Sequence, residues 1–129
     1  MTGVTHLDCA SPADLARARR LVRRRGAEAA LDEDVVADLE LVVTEMLTNA
    51  LVHGAQPVLL HLYPNDPTWA CHVEDGGRLP PDPHVGTTLP DSLVEGGRGM
   101  WIVRLLCAAV EVESDVHGTH AWLHVDVRR

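Results

Sequence analysis

Thr44-Glu45-Met46-Leu47-Thr48-Asn49-Ala50-Leu51-Val52-His53-Gly54 is the stretch on which the reading of this chain turns. Glu45 and Asn49 stand four apart in a segment of helical periodicity, so they share one face, one turn above the other. From Val35 to His53 the apolar residues Val35, Leu39, Val42, Val43, Met46, Leu47 and Ala50 recur at helical spacing, and Gly54 is a natural terminator. On a helical wheel Glu45 and Asn49 fall just off one edge of the apolar arc, with Leu41 and Val52 beyond them. Polar groups between apolar neighbours need a partner or a task. A carboxylate and an amide stacked in this way suit a hydrated Mg²⁺ and the orientation of a nucleophile beside it.

Upstream, Ser11-Pro12-Ala13-Asp14 predicts a helix start, with Ser11 as cap, Pro12 at the first helical position and Asp14 at the positive dipole end. That helix is expected to run to a cap at Gly26, and a second to start at Asp32. Downstream, Pro57–Tyr63 and Thr68–Glu74 read as strands joined by the turn Pro64-Asn65-Asp66-Pro67. Alternation puts Trp69, Cys71, Val73 and Asp75 on one face of the second strand, and Gly76 and Gly77 permit a sharp turn after it. Residues 78–95 hold four prolines and little periodicity, a loop long enough to suggest lid or binding duty. Gly99 to Val110 reads as a helix entered through glycines. A final hairpin, turning near Asp115–Gly118, presents Ala121, Leu123, Val125 and Val127 inward. Helices kept together and strands in neighbouring runs predict an α+β two-layer sandwich with a mostly antiparallel sheet and helices on one face.

The chain has 129 residues, enough for one domain with a real core and too few for two, so a single domain over 1–129 is expected. The formal net charge of −8 argues against nucleic acid as the main partner. With no Phe and a single Tyr, base-stacking platforms are not expected either. No apolar run reaches the length of a membrane span and the N-terminus lacks a signal pattern, so a cytoplasmic protein without membrane contact is expected. Cys9, Cys71 and Cys107 are far apart and read as reduced, packed thiols. Lysine is absent, and six of the arginines (17, 19, 20, 23, 24 and 25) cluster in the first helix. A solvated helix face and a surface for an acidic partner protein remain equal readings of that cluster. His120 and His124 share the outward face of the last strand. Without a carboxylate or Cys at fitting spacing, they and His117 read as surface residues rather than metal ligands.

Four motifs then fall in order: Glu45-x-x-x-Asn49-Ala50, with Thr48 just before Asn49 and His53-Gly54 following; Asp75-Gly76-Gly77 ending a strand; Gly96-Gly97-Arg98-Gly99-Met100 opening a helix; and Gly118-Thr119 before the last strand. In these the chain resembles the small Bergerat-fold (GHKL) ATP-binding domains of the bacterial anti-sigma-factor serine kinases, a group related to the ATPase domains of histidine kinases. The motifs correspond to the N-box, the G1 box, the G2 box and a late adenine-side threonine, and the resemblance extends from about Ser11 to Val127.

The resemblance implies a set of roles. Asn49 would coordinate Mg²⁺, and Glu45 would act as general base on the attacking hydroxyl or water. Asp75 would accept a hydrogen bond from the adenine amine, Thr119 would support the same base, and Gly77 would let the backbone lie close to it. Gly97 and Gly99, with Arg98 and Met100 beside them, would bring the helix start to the phosphates, with His53 near them. The lid has no lysine, so Arg78 and Arg98 are the candidate phosphate-facing cations. The glycine often found two residues beyond Gly77 is Leu79 here. For the N-terminal strand that would serve a homodimer, only Val4–Leu7 is available. The implied ligands are ATP and Mg²⁺. The implied partners are a sigma factor and a STAS-type anti-anti-sigma protein whose serine would be phosphorylated. An ATP-binding interaction module without kinase activity, and a histidine-kinase-like ATPase domain acting on another partner, stand as alternatives.

Overall fold

In a computed structural model of the chain, residues 5–77 and 97–128 are described, the side chains of Gly97 and Arg98 excepted. The elements are β1 (Thr5–Cys9), α1 (Ala13–Glu28), α2 (Glu33–His53), β2 (Val58–Tyr63), β3 (Thr68–Asp75), α3 (Gly97–Leu106), β4 (Ala109–Asp115) and β5 (Gly118–Asp126). The strands form one antiparallel sheet of order β1-β2-β3-β5-β4. The predicted α+β layering is therefore observed. The expected loop 78–95, with Arg78 and Leu79, and Gly96 of the glycine-rich segment lie outside the described residues.

Strict alternation builds the core. Leu60 and Leu62 of β2, Trp69, Cys71 and Val73 of β3, and Ala121, Leu123 and Val125 of β5 are buried on the helix-facing side. Against them α2 lays Leu39, Val42, Val43, Met46, Leu47 and Ala50. Each fully buried Leu or Val contributes about 1.5–3 kcal/mol. That stripe, rather than helix propensity, holds α2 in place. Because α2 packs on β2 and β3 and is flanked by α1 and α3, it is the central helix of its layer.

The two helix starts differ from the capping expected of them. Pro12, not Ser11, occupies the N-cap of α1, and no side chain caps it. Instead Asp14 reaches back, its Oδ2 accepting from the Ala10 N–H at 2.8 Å and the Ser11 N–H at 3.2 Å. Those amides and the Arg17 guanidinium hold the Asp14 carboxyl below the usual carboxylate range. Asp32 does occupy the N-cap of α2, but without a side-chain cap bond.

Gly26 does not end α1. It sits inside the helix and is buried, and a Cβ there would lie 2.7 Å from Val36 Cγ2. Its task is not the expected cap but the close approach of α1 to α2. Beyond the core, the weak N-terminal segment forms a complete edge strand, Thr5–Cys9, paired with β2. Burial pushes the thiols of Cys71 and Cys107 up to about 12 and that of Cys9 up to about 11, in keeping with free, packed cysteines.

Candidate functional site

Asp75 ends β3 on the helix-facing side and pairs in register with Thr119 of β5. Its Oδ1 accepts the Gly77 N–H at 2.7 Å and, more weakly, the Ala55 N–H at 3.4 Å. Thr119 Oγ1 lies 3.0 Å from the Gly77 carbonyl and 3.2 Å from Ser114 Oγ. A hydroxyl has one hydrogen, so it donates to one of these and accepts from the Ser114 hydroxyl when it serves the carbonyl. The backbone of Gly77 thereby ties the two predicted base-side residues together. Both of the Asp75 contacts use Oδ1 and not Oδ2.

Glycines form the walls around that carboxylate. A Cβ on Gly54 would lie 2.5 Å from Asp75 Cγ, and one on Gly77 would lie 2.8 Å from its Oδ1. Gly118 has φ +135°, and a Cβ there would run into the Asp75 carbonyl oxygen. Gly54 was legible as the end of α2, which it is, with its N–H bonded to the Ala50 carbonyl at 3.0 Å. Its second task, letting the helix end approach Asp75, left no mark in the local sequence because Asp75 is 21 positions away. Ser114, which orients Thr119, carried no signal either.

At the other end of the site, Glu45 and Asn49 project from α2, half-buried and one turn apart, as the spacing predicted. Glu45 packs on the first turn of α3: a Cβ added at Gly99 would collide with its Oε2. The carboxylate thus sits beside the amide-rich start of a helix, where negative charge is favoured. Gly99 and Met100 are buried there, and Met100, 8 % exposed, is a core residue that anchors the turn. His53 is exposed in the last turn of α2. Gly97 opens α3, while the side chain of Arg98, like Arg78, lies outside what is described. The elements thus bring Asp75, Gly77 and Thr119 together at the strand ends, and Glu45 and Gly99 together between α2 and α3.

Both donors on α2 are hard oxygen groups, the Glu45 carboxylate and the Asn49 amide oxygen, a set that fits Mg²⁺ rather than a softer ion. A groove of about 440 Å³ between Arg25, Asp66, Trp69 and Arg128 lies at the opposite end of the sheet and touches none of these residues.

The family model of the histidine kinase-like ATPase domain matches residues 9–125. No curated protein matches the chain significantly. Among solved structures, the RsbU and RsbW domains of Rv1364c from Mycobacterium tuberculosis superpose with a TM-score of 0.73 at 20 % identity, over 99 % of this chain and 33 % of that one. The blue-light activated histidine kinase of Erythrobacter litoralis EL346 gives a TM-score of 0.59 at 26 % identity, over 75 % of this chain and 32 % of that one. The histidine kinase domain of the same protein gives 0.58 at 23 %, over 89 % and 60 %. The chain thus spans about a third of the first two. The expected Bergerat (GHKL) fold is the fold observed, and with a family match over 9–125, the chain belongs to the histidine kinase-like ATPase domain family.

Proposed function

We propose that this protein binds Mg-ATP between α2 and the ends of β3 and β5, and transfers its terminal phosphoryl group to a serine of a partner protein. The observation that carries the reading is the anchored Asp75 carboxylate, with one oxygen held by the Gly77 N–H and the paired Thr119 hydroxyl alongside. Such a carboxylate reads an exocyclic amine, because a mismatched base leaves it unpaired. Residues 45–53 of α2 advance about 12 Å along the helix axis, the scale of a nucleoside triphosphate laid from base to terminal phosphate.

In this reading Asp75 and Thr119 take adenine, and Gly77 lets the base lie against the backbone. The backbone N–H groups at the start of α3, from Gly97 and Gly99, take phosphate oxygens, with Arg98 or Arg78 as the cation. Asn49 holds Mg²⁺, which when bound neutralises phosphate charge. Glu45 accepts the proton of the serine hydroxyl as its oxygen attacks the terminal phosphorus. The bond to the bridging oxygen breaks and ADP leaves. His53 stands near the phosphates, and Met100 fixes the helix start.

The resemblance to anti-sigma-factor kinases makes a sigma factor and a STAS-type antagonist the proposed partners, in one cytoplasmic domain. The arginine-rich α1 supplies a basic surface suited to an acidic partner, although Arg17, Arg23 and Arg25 are already paired with Asp14, Glu40 and Glu28. β1 provides the edge strand that a homodimer of this kind would use. A second reading, a histidine-kinase-like ATPase domain serving another partner, is favoured by the likeness to the Erythrobacter kinase.

Transfer of terminal-labelled phosphate from ATP to a serine-bearing STAS-type antagonist tests the kinase reading. The label should appear on serine with wild type and disappear with Glu45→Ala while ATP binding persists. Full transfer by Glu45→Ala would remove Glu45 from the role of base. ATP binding with no transfer to any such antagonist would leave the interaction module.

A further inference from the structure

The face of the sheet turned away from the helices carries a second cluster of chemistry, on the opposite side from Asp75 and Glu45. In register across the strands, His6 pairs with His61, His61 with His72, and His72 with Trp122. One step along β3, Glu74 pairs with His120 of β5. Strand pleating sends all of these side chains to the same side, opposite the buried Leu60, Leu62, Cys71, Val73 and Ala121.

The side chains converge. His61 Nε2 lies 3.4 Å from Glu74 Oε1, and His120 Nδ1 lies 3.4 Å from Glu74 Oε2. His72 Nε2 lies 3.0 Å from His120 Nδ1. Ligating atoms of His61, His72 and Glu74 all fall within 4.8 Å of one another. In a tetrahedral Zn²⁺ site with bonds of 2.0–2.1 Å, neighbouring ligand atoms stand about 3.3 Å apart. Three of the separations, two to different oxygens of Glu74 and one between His72 and His120, are already near that edge length.

We propose that His61, His72, Glu74 and His120 form a binding site for a first-row transition-metal ion of the Zn²⁺ class. Three imidazoles and one carboxylate are the ligand chemistry such ions take, and not that of Mg²⁺ or Ca²⁺, which require oxygen. The surroundings are those of a held site rather than a chance surface group. His72 is 8 % exposed although it lies on the outward face, because Trp122 stacks on it at 4.1 Å and 3°. Its ring also stacks against those of His61 and His120 at 5.1 and 5.2 Å, so binding an ion requires the rings to turn until their in-plane lone pairs converge. Glu74 orients two of the rings at once, and the His6 ring stands 5.7 Å from His61, placed to support it from outside. Along the chain His61, His72 and His120 have no ligand spacing. Only cross-strand pairing brings these histidines beside Glu74.

The test is calorimetric titration of the full chain with ZnCl₂, free of nucleotide and after stripping with chelator, accompanied by the absorption spectrum of the Co²⁺ form. The expected result is one ion per chain and an intense d–d spectrum of a tetrahedral nitrogen and oxygen site. Affinity should fall roughly tenfold or more in both His61→Ala and Glu74→Gln. It should be unchanged in His124→Ala, whose ring is on the same face beside Glu111 and outside the cluster. Absence of Zn²⁺ binding by the folded wild type would overturn the proposal. So would equal affinity in wild type, His61→Ala and Glu74→Gln, or a Co²⁺ spectrum with thiolate charge-transfer bands, since either places the ion elsewhere.

Discussion

Asp75 and Thr119 face each other across the β3–β5 pair, and one residue, Gly77, bonds to both, giving its N–H to the carboxylate and its carbonyl to the hydroxyl. The corner proposed to read the base is thus fixed by backbone before any ligand arrives. Such preorganisation lowers the ordering cost of binding.

Asp75→Asn isolates the recognition step. The amide oxygen can still accept the Gly77 N–H, so the melting temperature should change little. The other position becomes a donor facing the adenine amine, and an unpaired donor costs about 1–3 kcal/mol. ATP affinity should fall about 10- to 100-fold by calorimetry, with Mg²⁺ dependence preserved.

Gly118→Ala should be among the most destabilising single-methyl changes in the chain. It combines a φ of +135°, rare for any side chain, with a Cβ driven into the Asp75 carbonyl. A loss of more than about 2 kcal/mol is expected in urea melts, against near-neutrality for alanine at exposed His117.

Gly99→Ala should act on activity more than on stability, because the added methyl meets the end of the Glu45 side chain rather than backbone. The carboxylate must swing aside, so phosphoryl transfer should drop at least tenfold while ATP binding changes less. In a Glu45→Ala background the same change should cost little further activity. That non-additivity, read from a double-mutant cycle, reports the contact directly.

Much of this arrangement was legible in the sequence because its signals are local. The periodicity of α2, the i, i+4 relation of Glu45 and Asn49, and the strand alternation ending at Asp75 each concern neighbours within a few residues. What escaped is long-range. Gly26 looks like a helix cap but serves Val36 on the next helix, and Gly54 also makes room for Asp75. The histidines of β2, β3 and β5 are a cluster only through register. Ser11 does not cap because the Asp14 N–H that its side chain would accept is bonded to the Ser11 carbonyl at 2.9 Å.

The thiols give an alkaline prediction. Burial raises Cys107 from an ordinary 9.0 to about 12, so the folded state favours the neutral thiol. Its contribution to stability is complete below pH 9 and is lost as pH rises toward the folded value. Stability measured by urea between pH 9 and 11 should therefore fall less steeply for Cys107→Ala than for wild type. At pH 8 all three thiols should react with a disulfide reagent far more slowly in native protein than in urea.

The central claim, a Mg-ATP site built on α2 and the β3–β5 ends, is tested most directly by calorimetric titration with ATP, with and without Mg²⁺, on wild type and Asn49→Ala. The account predicts Mg-dependent binding by wild type that weakens in the variant. A folded wild type that binds no ATP, or an Asn49→Ala variant that binds Mg-ATP as well as wild type, would contradict it.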